Sequence, residues 1–457
     1  MEAPVAPFRK RTIQSPALLV GLAGAAWVVG QGYWLNFPWI FYCGLVAALT
    51  ILVLAKLHWR ESAGFNLAAN TAILFIAGLP LADLVYSSGV IAIQRKAVQA
   101  PARENAYSFE AAKEDPIQFS LWWEKFIKEW SRLKRRITVP DPEERLPFRL
   151  KPGSTGAFFD AQFNINSLGF RDREFEIEKG NRYRIVTLGE STTMGVTLKK
   201  DDRPWPKVLE AILQTELRCS RPIEVINAGV AAYDLQHNLI RLKRDVLRLK
   251  PDMIISYHGY NGFHFLDDSW QDLAHAYAPA TLPAFIERPI ALLAQVEHRI
   301  RLIRFKRNHF HPAPSRETVA RLHSGILQTR YARLYEQLIG IARTNQIKLV
   351  LLNFNMAANQ NSPKPVVNFY ALAFPDVGFR IQANQLQTHL LATLADLNRD
   401  VLFVNTGRGL DGVHSRYIDL VHLTQEGRDQ LAQNVCLGIR EYLLSVEDLG
   451  CREDNRR

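Results

Sequence analysis

Four short clusters in the 457-residue chain hold side chains that can do chemistry together. Ser191 follows Gly189-Glu190 at the end of the apolar run Ile185 to Leu188. Gly229 follows Asn227-Ala228, and Asn261 follows Gly259-Tyr260, each after another apolar run. Asp419 precedes His422 by three positions near the C-terminus. A serine hydroxyl needs a base to become a nucleophile, and a histidine needs a carboxylate to fix its tautomer. Main-chain N–H groups and a carboxamide can hold the oxyanion of a tetrahedral intermediate. The expected roles are therefore nucleophile for Ser191, base for His422 and orienter for Asp419. The Ser191 and Gly229 N–H groups and the Asn261 amide would form the oxyanion hole. That set performs ester chemistry with no cofactor and no metal.

Each cluster alone also has a bland reading. Gly-x-Ser at a strand end is more often a helix N-cap. Gly229 could be a turn glycine, Asn261 an Asx-turn residue, and His422 a histidine capping a surface loop. Order and completeness favour the chemical reading. The residue two after Ser191 is Thr193, not glycine, so the Gly-x-Ser-x-Gly elbow is absent.

The elements that would position these clusters alternate. Arg184–Leu188, Ile223–Ile226, Met253–Tyr257, Lys348–Phe354 and Val401–Val404 read as buried parallel strands. Between and after them, Trp205–Leu217, Leu235–Leu249, Tyr331–Thr344, Gln382–Leu397 and Thr424–Leu444 read as helices, with Thr424 as an N-cap. Strand–helix alternation predicts an α/β fold, a three-layer α/β/α sandwich with a mostly parallel sheet. Such sheets bind ligands at the C-terminal ends of their strands, where Ser191, Gly229 and Asn261 fall. Residues 263 to about 328 break the period and are aromatic and basic. A long insertion in a compact domain tends to be functional, so this one is expected to cap the site.

Residues 150 to 444 resemble the SGNH (GDSL-like) hydrolase family. Its name-giving serine, glycine, asparagine and histidine correspond to Ser191, Gly229, Asn261 and His422, and its aspartate to Asp419. Asn166-Ser167-Leu168-Gly169-Phe170-Arg171 and Pro251-Asp252 are similar to membrane-anchored bacterial members. Two positions depart from the pattern: Glu190 stands where Asp or Gly is usual, and Gly262 where many members carry Asp. The resemblance implies an esterase or an acyltransferase.

The rest of the chain sets the context. Residues 1–94 read as a membrane anchor. Arg9-Lys10-Arg11 precedes the apolar runs Pro16 to Trp34 and Pro38 to Leu57, each about the 20 residues a spanning helix needs. A third run, Leu67 to Ile93, contains Asn70, Pro80 and Asp83, and reads either as a third span or as a re-entrant or interfacial helix, so the anchor has two or three spans. Lys56 lies at the end of the second run and Arg60 follows it, while the loop after the first has no Lys or Arg. The basic residues mark the inner side; three spans then place the catalytic domain outside the cytoplasmic membrane, the expected topology, and two would place it inside. Residues 95–149 form a connector. Its stripe Phe119, Trp122, Trp123, Phe126, Trp130 and Leu133 suits either a helix in the membrane interface or one docked on the domain. The catalytic domain runs from 150 to 446 and a polar tail from 447 to 457.

The net charge is +11. Without zinc spacing, a helix-turn-helix or an RNA-binding signature, no nucleic-acid partner is expected. Anionic lipid or acidic glycan suits the charge equally well. Cys43, Cys219, Cys436 and Cys451 lie far apart, and neither a disulfide framework nor a zinc site is expected. The expected substrate is an acylated glycan or lipid of the envelope. An O-acyltransferase working with a membrane-embedded acyl-transfer partner, and a non-catalytic scaffold, are the alternatives.

Overall fold

The computed structural model describes residues 16–34, 38–58, 63–74, 76, 78, 109, 116–143, 145–273, 313–371, 374 and 376–453. Arg9-Lys10-Arg11, Arg60, Pro80, Asp83, the centre of the expected cap (274–312) and the last four residues lie outside them. Two compact units emerge, the N-terminal helices and the described chain from residue 109 onward.

In the first unit, α1 (Pro16–Trp34) and α2 (Pro38–His58) pack side by side. Gly44 permits the close approach, since a Cβ there would meet Val29 N at 2.8 Å and Ala25 O at 3.2 Å. Leu19, Val20, Trp27, Val46, Leu54 and Leu57 point outward and are exposed. Residues 63–74 form a further helix. Among the described residues no helix is long and apolar enough to cross a membrane.

In the second unit, five parallel strands form the central sheet: β1 (Tyr183–Gly189), β2 (Ile223–Asn227), β3 (Met253–Tyr257), β4 (Lys348–Leu352) and β5 (Val401–Val404). Their order is β5-β4-β3-β1-β2, every pair parallel. All residues of β1, β2 and β3 are buried, as strands covered on both faces must be. The chain leaves β1 for β2 on one side and returns to β3 on the other. The switch point of the doubly wound sheet therefore lies at the end of β1. Asp252 ties the strand entrances together, accepting from Arg184 N at 2.7 Å and from Lys179 Nζ at 2.7 Å.

Two expectations change and one open alternative is decided. The expected helix Leu235–Leu249 is α-helical only over Leu235–Arg241, then passes through a π turn (Leu242–Val246) and a 3₁₀ turn (Leu247–Leu249). The connector helix α3 (Pro116–Ile137) docks on the domain by Phe126, Leu133 and Ile137, all in the core; Phe126 meets the Phe158 ring edge-on at 5.0 Å. Docking rather than the membrane interface thus takes up the described part of its apolar stripe. Finally, Cys219 and Cys451 form a disulfide across 232 residues, against the expectation of none. It joins a two-stranded ribbon in which Arg452 and Glu453 pair with Arg218 and Leu217.

Candidate active site

Ser191 opens a four-residue helix, α4 (Ser191–Met194), directly after β1. The turn is tight. At Gly189 a Cβ would lie 2.1 Å from Thr193 Oγ1 and 2.6 Å from Tyr257 O, so only glycine fits. Ser191 is partly exposed and its Oγ lies 2.8 Å from His422 Nε2. As first residue of a helix, it has an N–H without an intrahelical acceptor.

His422 and Asp419 come from a loop closed by its own backbone. Tyr417 bridges Leu423, and the Ile418 N–H donates to His422 O at 2.8 Å. Thr424 then caps helix Gln425–Ser445, its side chain accepting from Gly427 N. Within the loop, Asp419 Oδ1 accepts the Val421 and His422 N–H groups, both at 2.8 Å. Its Oδ2 lies 2.6 Å from His422 Nδ1. An ionised carboxylate only accepts, so Nδ1 carries a proton and Nε2 is left to take the Ser191 hydroxyl proton. Asp419 and His422 are buried, which shields the pair from competing water. This is the geometry of a serine hydrolase.

The expected oxyanion donors divide. Asn261 is buried, and its Nδ2 donates one hydrogen to Tyr233 O at 2.9 Å. The amide carries a second hydrogen that can serve an oxyanion. The Gly229 N–H does not have the free role expected of it, because it donates to Asn227 Oδ1 at 3.0 Å. An asparagine at a strand end readily takes the N–H two residues on. Gly229 serves packing instead: a Cβ would fall 2.2 Å from Met194 N, in the turn behind Ser191.

Glu190 emerges as a support that its type alone did not reveal. Its Oε1 accepts the Gly259 N–H at 2.9 Å and its Oε2 the Asn261 N–H at 3.1 Å. The carboxyl beside the serine thus holds the loop that carries the oxyanion amide. Burial raises its pKa to about 8, against the two N–H donors, which lower it.

Two arginines also brace the site. Arg171 NH1 donates to Met194 O at 2.9 Å, and its NH2 to Thr197 Oγ1 at 2.7 Å. Arg241 donates to Ala228 O and, at 3.0 Å, to Gly169 O. The Asn166–Arg171 stretch therefore fastens the turns after β1 and β2. Phe126 of α3 stands beside His422, ring centroids 6.4 Å apart. His258, which burial lowers to about 3, stays neutral and pairs with Ser256 Oγ at 2.8 Å. Among the described residues no group of three or more His, Cys, Asp or Glu could hold a metal ion.

No protein-family model matches the chain, and no curated protein does. Solved structures similar to it include a GDSL-like lipase from Bacteroides thetaiotaomicron. It is 16% identical with a TM-score of 0.32, over 57% of this chain and 89% of that one. A catalytic mutant of an acetylxylan esterase from Geobacillus stearothermophilus is 15% identical with a TM-score of 0.32, over 57% of this chain and 95% of that one. Likeness at this level says nothing of substrate, and the chemistry rests on the geometry of the site itself.

Proposed function

We propose that this chain is a membrane-anchored serine esterase that removes O-acyl groups, acetyl foremost, from a glycan or lipid of the cell envelope. The hydrogen-bonded chain Ser191–His422–Asp419, at 2.8 and 2.6 Å, carries the reading. Ser191 Oγ attacks the acyl carbonyl while His422 Nε2 takes its proton. The Ser191 N–H and the second Asn261 amide hydrogen hold the oxyanion. His422 returns the proton to the departing alkoxide oxygen. Water then attacks the acyl-enzyme with His422 again as base, and the carboxylic acid leaves.

Anchoring is supported by the sequence, in which Arg9-Lys10-Arg11 precedes the apolar runs Pro16 to Trp34 and Pro38 to Leu57. A placement outside the cytoplasm is supported by the Cys219–Cys451 disulfide, because such bonds persist in oxidising compartments. The test is incubation of the purified protein with O-acetylated envelope polysaccharide, with mass spectrometry of both acid and sugar. Free acetate that depends on Ser191 is expected. Acetyl groups moved to a second sugar without free acetate would make the protein a transferase instead.

A further inference from the structure

The same edge of the sheet carries a second concavity that ester chemistry at Ser191 does not use. Strands β4 and β5 run directly into Asn353 and Asn405. Between the loops that follow lies a cleft of about 470 Å³, within the size range of small-molecule sites. Carboxamides dominate its wall: Asn353, Asn359, Asn384, Gln385 and Asn405, joined by Arg408.

Some of these amides are committed to the loops. Asn353 Oδ1 accepts the Thr406 N–H at 2.6 Å, and Asn359 Nδ2 donates to Asp411 Oδ2 at 2.9 Å. They make the wall rigid. Asn384 differs. Its Nδ2 donates to Phe354 O at 3.1 Å, which fixes the amide, while its Oδ1 is buried without a partner. A buried acceptor left unpaired is costly, and the residue that carries it borders the cleft.

The chemistry of the wall selects the ligand. Carboxamides both donate and accept, as do the vicinal hydroxyls of a sugar. A phosphate or polyanion would call for several cations, and here Arg408 shares the wall with Asp411. Position adds a second argument. In the order β1-β3-β4-β5 the cleft lies two to three strands from the end of β1. At about 4.8 Å per strand this is roughly 10–15 Å. The loop after β4 also braces the catalytic loop, the Ala357 N–H donating to Leu420 O at 2.9 Å.

We infer that this cleft is a saccharide subsite, holding the sugar units that flank the one whose ester Ser191 attacks. Its link to turnover rests on the esterase reading; its binding of sugar does not. Binding energy gathered there would serve the reaction at a distance.

Calorimetric titration of the full-length Ser191→Ala protein with cellotetraose, xylotetraose and chitotetraose tests it. At least one should bind, and Asn384→Leu, or exposed Gln385→Ala if the first does not fold, should weaken that sugar about tenfold. In the active protein, the same substitution should lower kcat/KM for the acetylated tetrasaccharide about tenfold more than for p-nitrophenyl acetate. No binding of any of the three at about 10 mM, or equal binding by a folded variant, overturns the subsite. Sugar binding without hydrolysis of p-nitrophenyl acetate by the active protein would keep the subsite and overturn the esterase.

Discussion

The distances of 2.8 and 2.6 Å around His422 make its neighbours unequal in their expected mutational cost. Ser191→Ala and His422→Ala each remove a group that bonds to substrate or moves a proton. Each is expected to lower kcat for an aryl acetate by about 10⁶-fold. Asp419→Asn keeps the loop but loses the carboxylate that sets the tautomer, for a smaller loss of about 10⁴-fold. Steady-state kinetics on the three variants check the ranking, and equal losses would contradict it. Glu190 makes a prediction in pH. Its pKa rises from 4.5 in the unfolded chain to about 8 in the folded protein. Between those values the unfolded chain binds fewer protons, so stability falls as pH rises through the window. Glu190→Gln abolishes the effect. Melting temperatures of wild type and variant should diverge as pH climbs from 4.5 to about 8, the wild type losing ground; parallel curves would show that the carboxyl keeps its ordinary value.

At the level of elements, two attachments can be tested. Phe126→Ala empties a buried aromatic contact between α3 and Phe158. It is expected to cost about 3–5 kcal/mol by chemical denaturation, and to slow turnover because the ring borders His422. Reduction or Cys219→Ser opens a closure of 232 residues and should cost about 2–5 kcal/mol. Unchanged melting under reductant would show that the ribbon Leu217–Arg218 with Arg452–Glu453 holds without it. These elements also show what the sequence could and could not reveal. The five strands were legible because buried parallel strands are continuous apolar runs. Ser191, Asn261, Asp419 and His422 were legible because each stands at a strand end or a helix entrance. The disulfide was not, since nothing local links Cys219 to Cys451. Nor was the use of the Gly229 N–H by Asn227, which depends on one side-chain rotamer. The grip of Glu190 on Gly259 and Asn261 comes from residues about 70 positions away, brought close only by the pairing of β1 with β3.

For the whole molecule, an apolar N-terminal helix pair precedes a domain that holds the Ser191–His422–Asp419 chain and a disulfide. An alkaline phosphatase fusion after residue 150 is expected to be active, because that reporter folds only outside the cytoplasm. An inactive fusion, with an active cytoplasmic reporter at the same point, would put the domain inside and turn the substrate towards cytoplasmic esters. The central claim, that Ser191 is an activated nucleophile, has a more direct test. The full-length protein is treated with a fluorophosphonate and digested with trypsin, and the adduct is located by mass spectrometry. The account predicts a covalent adduct on Ser191 within the peptide Ile185–Lys199, absent from Ser191→Ala and greatly slowed in His422→Ala. An unlabelled Ser191 in folded protein, or an adduct confined to another residue, would contradict it.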